Sequence, residues 1–350
     1  MTNQLTMRAK FKTAVTAVAS LYLGSTGLLL AQAPAIQAIN GQTTPAPVLQ
    51  YNQNTATRQQ EEMLNNLTTT NAPELYPGED EDVGPQHILK IKPIHNYFEG
   101  VADTQYAFTD NNRLDNHFHV STLYAVNTVQ IAFAPSAYDL GPGKFAPRVG
   151  FRSQWYNYGL GDNSQESALD FNAQTFFASG QYLWHENWEF DTELDYTRLL
   201  TQANYNQFYY EVMPAVTVQR FFKIRDNLIV SLIGQESYHF TGVPSIFGSS
   251  EDVNDRLDSV VGVSASWQIL GKLVLQPYYR FDETYYRRDF AGVARNDFQH
   301  ILGASATWYF TPQLSARVYA SESIRTSDDQ FTPSYDKLDT GLGLNLTLRF

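Results

Sequence analysis

Between Trp188 and Tyr196 the chain alternates with period two. Glu189, Asp191, Glu193 and Asp195 share one face, while Trp188, Phe190, Leu194 and Tyr196 share the other. Four carboxylates in one column admit two kinds of chemistry. Side chains two apart on a strand sit ~6.5–7 Å apart, close enough for paired-carboxylate hydrolysis. The same column could instead line a polar passage with fixed negative charge. Asp170 and Glu211 extend the acidic set onto neighbouring segments. Elsewhere the equivalent face carries mainly arginine: Arg148 and Arg152, Arg280 beside Asp282, Arg317, Arg325 and Arg349. No lysine joins the charges in the middle of these segments. Arginine's planar fork suits fixed contacts to carboxylates, phosphates or sugar acids.

The histidines offer less. His117 and His119 share a face, but no third ligand is fixed beside them, so polar rim residues are expected rather than a metal site. His300 falls on the apolar face between segments carrying Glu283 and Glu322, where a nearby serine would make an acyl hydrolase. Ser259 lies two segments away and Ser323 faces the other side. No nucleophile motif accompanies them, and neither catalytic residues nor a cofactor are expected.

The elements that must hold these residues are long strands. Amphipathic segments cover roughly 97–109, 116–134, 147–158, 168–183, 188–200, 207–221, 227–240, 257–269, 272–287, 297–310, 313–325 and 337–350. None has helical periodicity. Their connections alternate between tight turns and longer polar loops, with Pro135–Ala146 a long exception among the turns. Many of the segments exceed the ~5–6 residues of soluble strands and are long enough to cross a bilayer when tilted. The pattern predicts an all-β fold over 95–350: a transmembrane, antiparallel, up-and-down β-barrel of about 12 strands. Outward Glu236 and Glu322 interrupt the apolar pattern, either above the membrane or through a register slip. The second strand changes parity near Ala125–Val129, which predicts a bulge there.

Composition agrees. Among 350 residues there are 22 tyrosines, 22 phenylalanines and no cysteine, and 17% are charged. Disulfides and thiolate metal sites are excluded. The formal net charge of -12 disfavours nucleic acid as a partner. Residues 1–38 have the layout of a secretory signal. Arg8, Lys10 and Lys12 precede an apolar stretch from Ala14 to Leu30, then small residues with Ala33-Pro34-Ala35 and Ile36-Gln37-Ala38 as cleavage sites. Residues 39–94 read as a flexible linker rich in Gln, Asn, Thr and Pro, with a short helix possible over Thr57–Leu67 and a short strand over His87–Pro93.

The signal, the repeated amphipathic strands and a last strand, Leu338–Phe350, that ends on an aromatic residue resemble the Gram-negative outer-membrane β-barrels. The hairpin sequence Gln105-Tyr106-Ala107-Phe108-Thr109-Asp110-Asn111-Asn112 resembles, with a different spacing, the Tyr-x-x-Asn-type motif of β-barrel porins. The resemblance implies that the strand ending in Phe350 is the signal read by the barrel assembly machinery. It also implies periplasmic chaperones and outer-membrane lipid as partners, and an outer-membrane location with the N-terminal segment in the periplasm.

In a closed barrel of twelve, the fifth and eleventh strands lie opposite each other. An acidic wall on the fourth to sixth would then face a basic wall on the ninth, eleventh, twelfth and third. That arrangement predicts a narrow porin-like channel with a transverse field, passing small hydrophilic solutes. If the acids and arginines pair across the lumen instead, they close it. A lipid-acyl enzyme and a structural or adhesion barrel are the alternatives of other classes.

Overall fold

The computed structural model describes residues 97–112, 114, 119–160, 169–185, 187–242, 254–287, 293–329 and 334–350. The expected signal, linker, short helix and His87–Pro93 strand lie outside these, as does His117. Twelve long strands form the wall: β1 (Phe98–Thr109), β2 (Thr122–Phe133), β4 (Gly143–Tyr158), β5 (Phe171–Trp184), β6 (Trp188–Thr201), β7 (Gln207–Arg225), β8 (Leu228–Gly242), β9 (Arg256–Leu270), β10 (Leu273–Tyr286), β11 (Arg295–Tyr309), β12 (Leu314–Ser327) and β13 (Tyr335–Arg349). A three-residue strand, β3 (Tyr138–Leu140), pairs only with the start of β4. It occupies the stretch expected to be a long turn. The tight turn of this hairpin includes Gly141, whose φ of 59° favours a residue without Cβ.

Each wall strand pairs antiparallel with the wall strands before and after it, β2 with β4 past the β3 hairpin. The ring closes between the two ends of the chain's described part. β1 and β13 run in register from Glu99↔Arg349 to Thr109↔Asp339. Beyond that ladder, the Phe98 amide donates to the Phe350 carbonyl (2.9 Å) and the Phe350 amide to the Phe98 carbonyl (3.0 Å). Closure leaves no free long edge, which a sheet in lipid requires.

The outer face is apolar. Leu342, Leu344, Leu346 and Leu348 of β13 all point outward and are exposed, as are Leu302, Val261, Val318 and Ile131 elsewhere. An apolar belt this continuous exceeds anything a soluble surface carries and is matched to acyl chains. At the short-turn end, Trp184, Trp267, Trp308, Phe310 and Phe350 are exposed, and Trp188 packs against the Arg220 guanidinium. These rings form one aromatic girdle.

The predicted bulge in β2 is corrected, and of the two readings of Glu236 and Glu322 the register slip fails. β2 keeps one register against both neighbours from Tyr124 to Phe133, with no bulge near Ala125–Val129. Its apparent change of parity arises because Val126 faces the lumen among aromatics while Asn127 faces outward and accepts from the Thr104 hydroxyl (2.7 Å). Glu236 and Glu322 do face outward. Irregularities occur at Leu199/Leu200, Lys223/Arg225 and Leu273/Val274, not beside these two glutamates.

Candidate functional site

Alternation along the strands puts the predicted charges on the inner face with one correction: Asp170 precedes β5 and accepts from the Tyr158 amide (2.7 Å) at the strand end instead. Glu189, Asp191, Glu193 and Asp195 project from β6, Glu211 from β7, Arg148 and Arg152 from β4, Arg280 and Asp282 from β10, Arg317 and Arg325 from β12, and Arg349 from β13. β6 and β12 are the fifth and eleventh wall strands, so they do oppose each other.

The charges pair mostly along the wall rather than across it. Arg152 reaches Asp195 at 3.4 Å, spanning β5. Arg148 and Arg349 converge on Glu99, which the sequence reading missed. Arg280 pairs with Asp282 two residues on, and Arg295 and Arg325 both bind Asp297. Lys337 pairs with Asp339 at 2.8 Å, so a lysine does enter the lumen, near the long-loop end. Local pairing follows from strand geometry. Residues two apart or on adjacent strands stand within reach of a side chain, and low-dielectric surroundings reward the nearest counter-charge.

The densest group joins β7, β8 and β9. The two ring nitrogens of His239 face Glu211 and Asp258, each at 3.0 Å. Arg256 reaches Asp258 at 3.1 Å and Glu211 at 4.0 Å, and the Tyr209 hydroxyl donates to Glu211 (2.8 Å). All but Asp258 are fully buried. Ser237, His239 and Glu211 have the order of a nucleophile triad. However, His239 Nε2 lies 3.0 Å from Asp258 and 3.5 Å from Ser237, so the carboxylate takes the nitrogen a serine would need. Arg256 supplies the positive charge that a metal would supply in such a set.

Toward the long-loop end, the lumen beside β2, β4, β5, β6 and β7 is filled by Tyr124, Tyr156, Tyr158, Phe171, Leu199 and Tyr209. Tyr156 stacks on Phe171 with centroids 4.4 Å apart. Tyr319 of β12 hydrogen-bonds Tyr124, linking this cluster to β12, and its ring lies over Gly341. Tyr278 lies over Gly303 in the same way. These aromatics narrow the bore. Sequence alternation gave no sign that they converge.

Polar atoms without a protein partner collect on the inner face. They include both amide atoms of Gln219, Nε2 of Gln299, Oδ1 of Asp297 and Asp339, and Nε and Nη2 of Arg317. None of the described buried orphans lies on the outer face.

The lipid-facing hydrolase set does not assemble. His300 is exposed and bonds the Tyr279 hydroxyl (2.8 Å), while Ser259 donates to Glu236 (2.8 Å). His119 lies 3.8 Å from Asp336.

A closed antiparallel wall, apolar outside and charged inside, with short turns at one end and long loops at the other, is the fold of an outer-membrane β-barrel. No protein-family model and no curated protein matches the sequence. Among solved structures, the chain is similar to the COG4313 outer membrane channel of Pseudomonas putida F1, with 12% identity over 72% of this chain and 96% of that one, at a TM-score of 0.46. The β domain of the Bordetella autotransporter BrkA shows 13% identity over 72% and 100% of the two chains, TM-score 0.44. LpxR from Salmonella typhimurium shows 8% identity over 69% and 99%, TM-score 0.38.

Proposed function

We propose that the protein is a narrow, porin-like channel of the outer membrane that passes small hydrophilic solutes. The observation that carries this reading is the one-sided distribution of unpartnered polar atoms. Buried N–H, amide and carboxylate groups without protein acceptors or donors cost free energy unless water or a solute meets them. Here they all face the lumen. These atoms lie just under the lumenal surface, so a wet lumen is the medium that small side-chain movements bring to them, and the paired charges along the wall make that surface polar. In this reading the short turns and both ends of the barrel face the periplasm, the residues before β1 form a periplasmic segment after signal cleavage, and Phe350 belongs to the assembly signal.

A closed structural barrel is the second reading, favoured by the aromatic cluster around Tyr124 and Phe171. Liposome swelling separates the two. Folded protein in liposomes should admit a monosaccharide and exclude a tetrasaccharide. Absence of swelling with either sugar would favour the closed barrel.

A further inference from the structure

After local pairing is accounted for, one arginine is left over. Each other arginine that projects from a strand into the lumen has a carboxylate partner, as described above. Arg317 has no ion pair or hydrogen bond with any described residue, although it is only 7% exposed. Its Nη2 lies over Gly343, 3.9 Å from where a Cβ would stand. Asp103, an acid within electrostatic reach, is engaged by the amides of Gln105 (2.6 Å) and Asn345. Tyr278, Tyr309 and Tyr319 lie within electrostatic reach of the guanidinium. On the opposite strand, Glu193 is likewise without an ion pair among the described residues, hydrogen-bonded only to Asp195. Arg317 on one wall and Glu193 on the opposite one are thus lumenal charges without an ion pair among the described residues, with Asp103 two strands from Arg317.

A buried guanidinium whose N–H groups no protein acceptor takes, stacked over the Tyr319 ring (5.9 Å to its centroid) and set beside a glycine, is a receptor for an oxyanion. We propose that Arg317 anchors a carboxylate-binding subsite in the lumen, which takes the carboxylate of a small organic acid. The proposal rests on the channel reading in one respect only: solute must reach the lumen.

The test is saturation-transfer NMR of sodium acetate on the folded full-length protein in detergent, with acetamide as the uncharged control. Wild type should give a saturable acetate signal and none from acetamide. Arg317→Gln should weaken acetate binding about tenfold or more, the worth of one charge-assisted hydrogen bond. If Arg317→Gln does not fold, Arg317→Lys keeps the charge but loses the fork, and should bind several-fold more weakly. No saturable acetate signal in wild type, or unchanged binding in the folded variant, overturns the subsite. Conductance recorded in parallel keeps the readings apart. Acetate binding without conductance defeats the channel alone, and conductance without acetate binding defeats the subsite alone.

Discussion

At the scale of single residues, the lumen is a set of local bargains between neighbouring charges. Arg256 shows what each is worth. It is 2% exposed and holds Asp258 and Glu211. Arg256→Met would leave two carboxylates with only His239 and Tyr209 beside them in this group. Breaking a buried set in this way costs about 3–5 kcal/mol. Urea unfolding in detergent should show that loss, and a change under about 1 kcal/mol would contradict the pairing described here. Much of this scale was legible: alternation placed Glu189 through Asp195 and the arginines of β4, β10, β12 and β13 on one face. Which partner each charge takes was not legible. Glu99, Asp297 and Asp258 belong to strands whose register against their neighbours decides the pairing, and register is not written in one strand alone.

At the scale of elements, the strand pattern was read almost entirely from period two. The failures have physical causes. In β2, a polar Asn127 outside and an apolar Val126 inside invert the usual code, because the lumen there is aromatic and Thr104 satisfies the asparagine. The β3 hairpin was hidden because three residues carry too little alternation to register. Glycines opposite lumenal aromatics make a further prediction. A Cβ at Gly341 would stand 2.6 Å from the Tyr319 ring. Gly341→Val should destabilise the barrel by about 1–3 kcal/mol, as overpacking does, read from the urea midpoint. The last strand carries another. Phe350 stacks on Phe98 with centroids 6.1 Å apart, yet its backbone makes the closing hydrogen bonds whatever the side chain. Phe350→Ala should therefore leave in vitro refolding in detergent nearly intact. In cells it should cut the amount of barrel reaching the outer membrane several-fold. Equal losses in both assays would make Phe350 a packing residue and not an assembly signal.

At the scale of the molecule, two features compete: a wall of polar atoms that calls for water, and an aromatic cluster that narrows the bore toward the long loops. The twelve-strand ring is intermediate between filled eight-strand barrels and open sixteen-strand porins, so strand number leaves the balance to the side chains. On β8 to β13 and β1 the inner face carries polar residues at both ends, from Gln276 and Ser305 to Asp297 and Lys337, with Tyr278, Ile301 and Tyr319 between them. A largely polar wall beside an aromatic cluster fits a slender passage. The measurement that tests this most directly is single-channel recording of the purified, folded protein in planar bilayers. The account predicts discrete, small conductance steps in potassium chloride, with reversal potentials that shift when Arg317 or Glu193 is neutralised. A heat-modifiable, fully folded barrel that inserts and gives no conductance would contradict it.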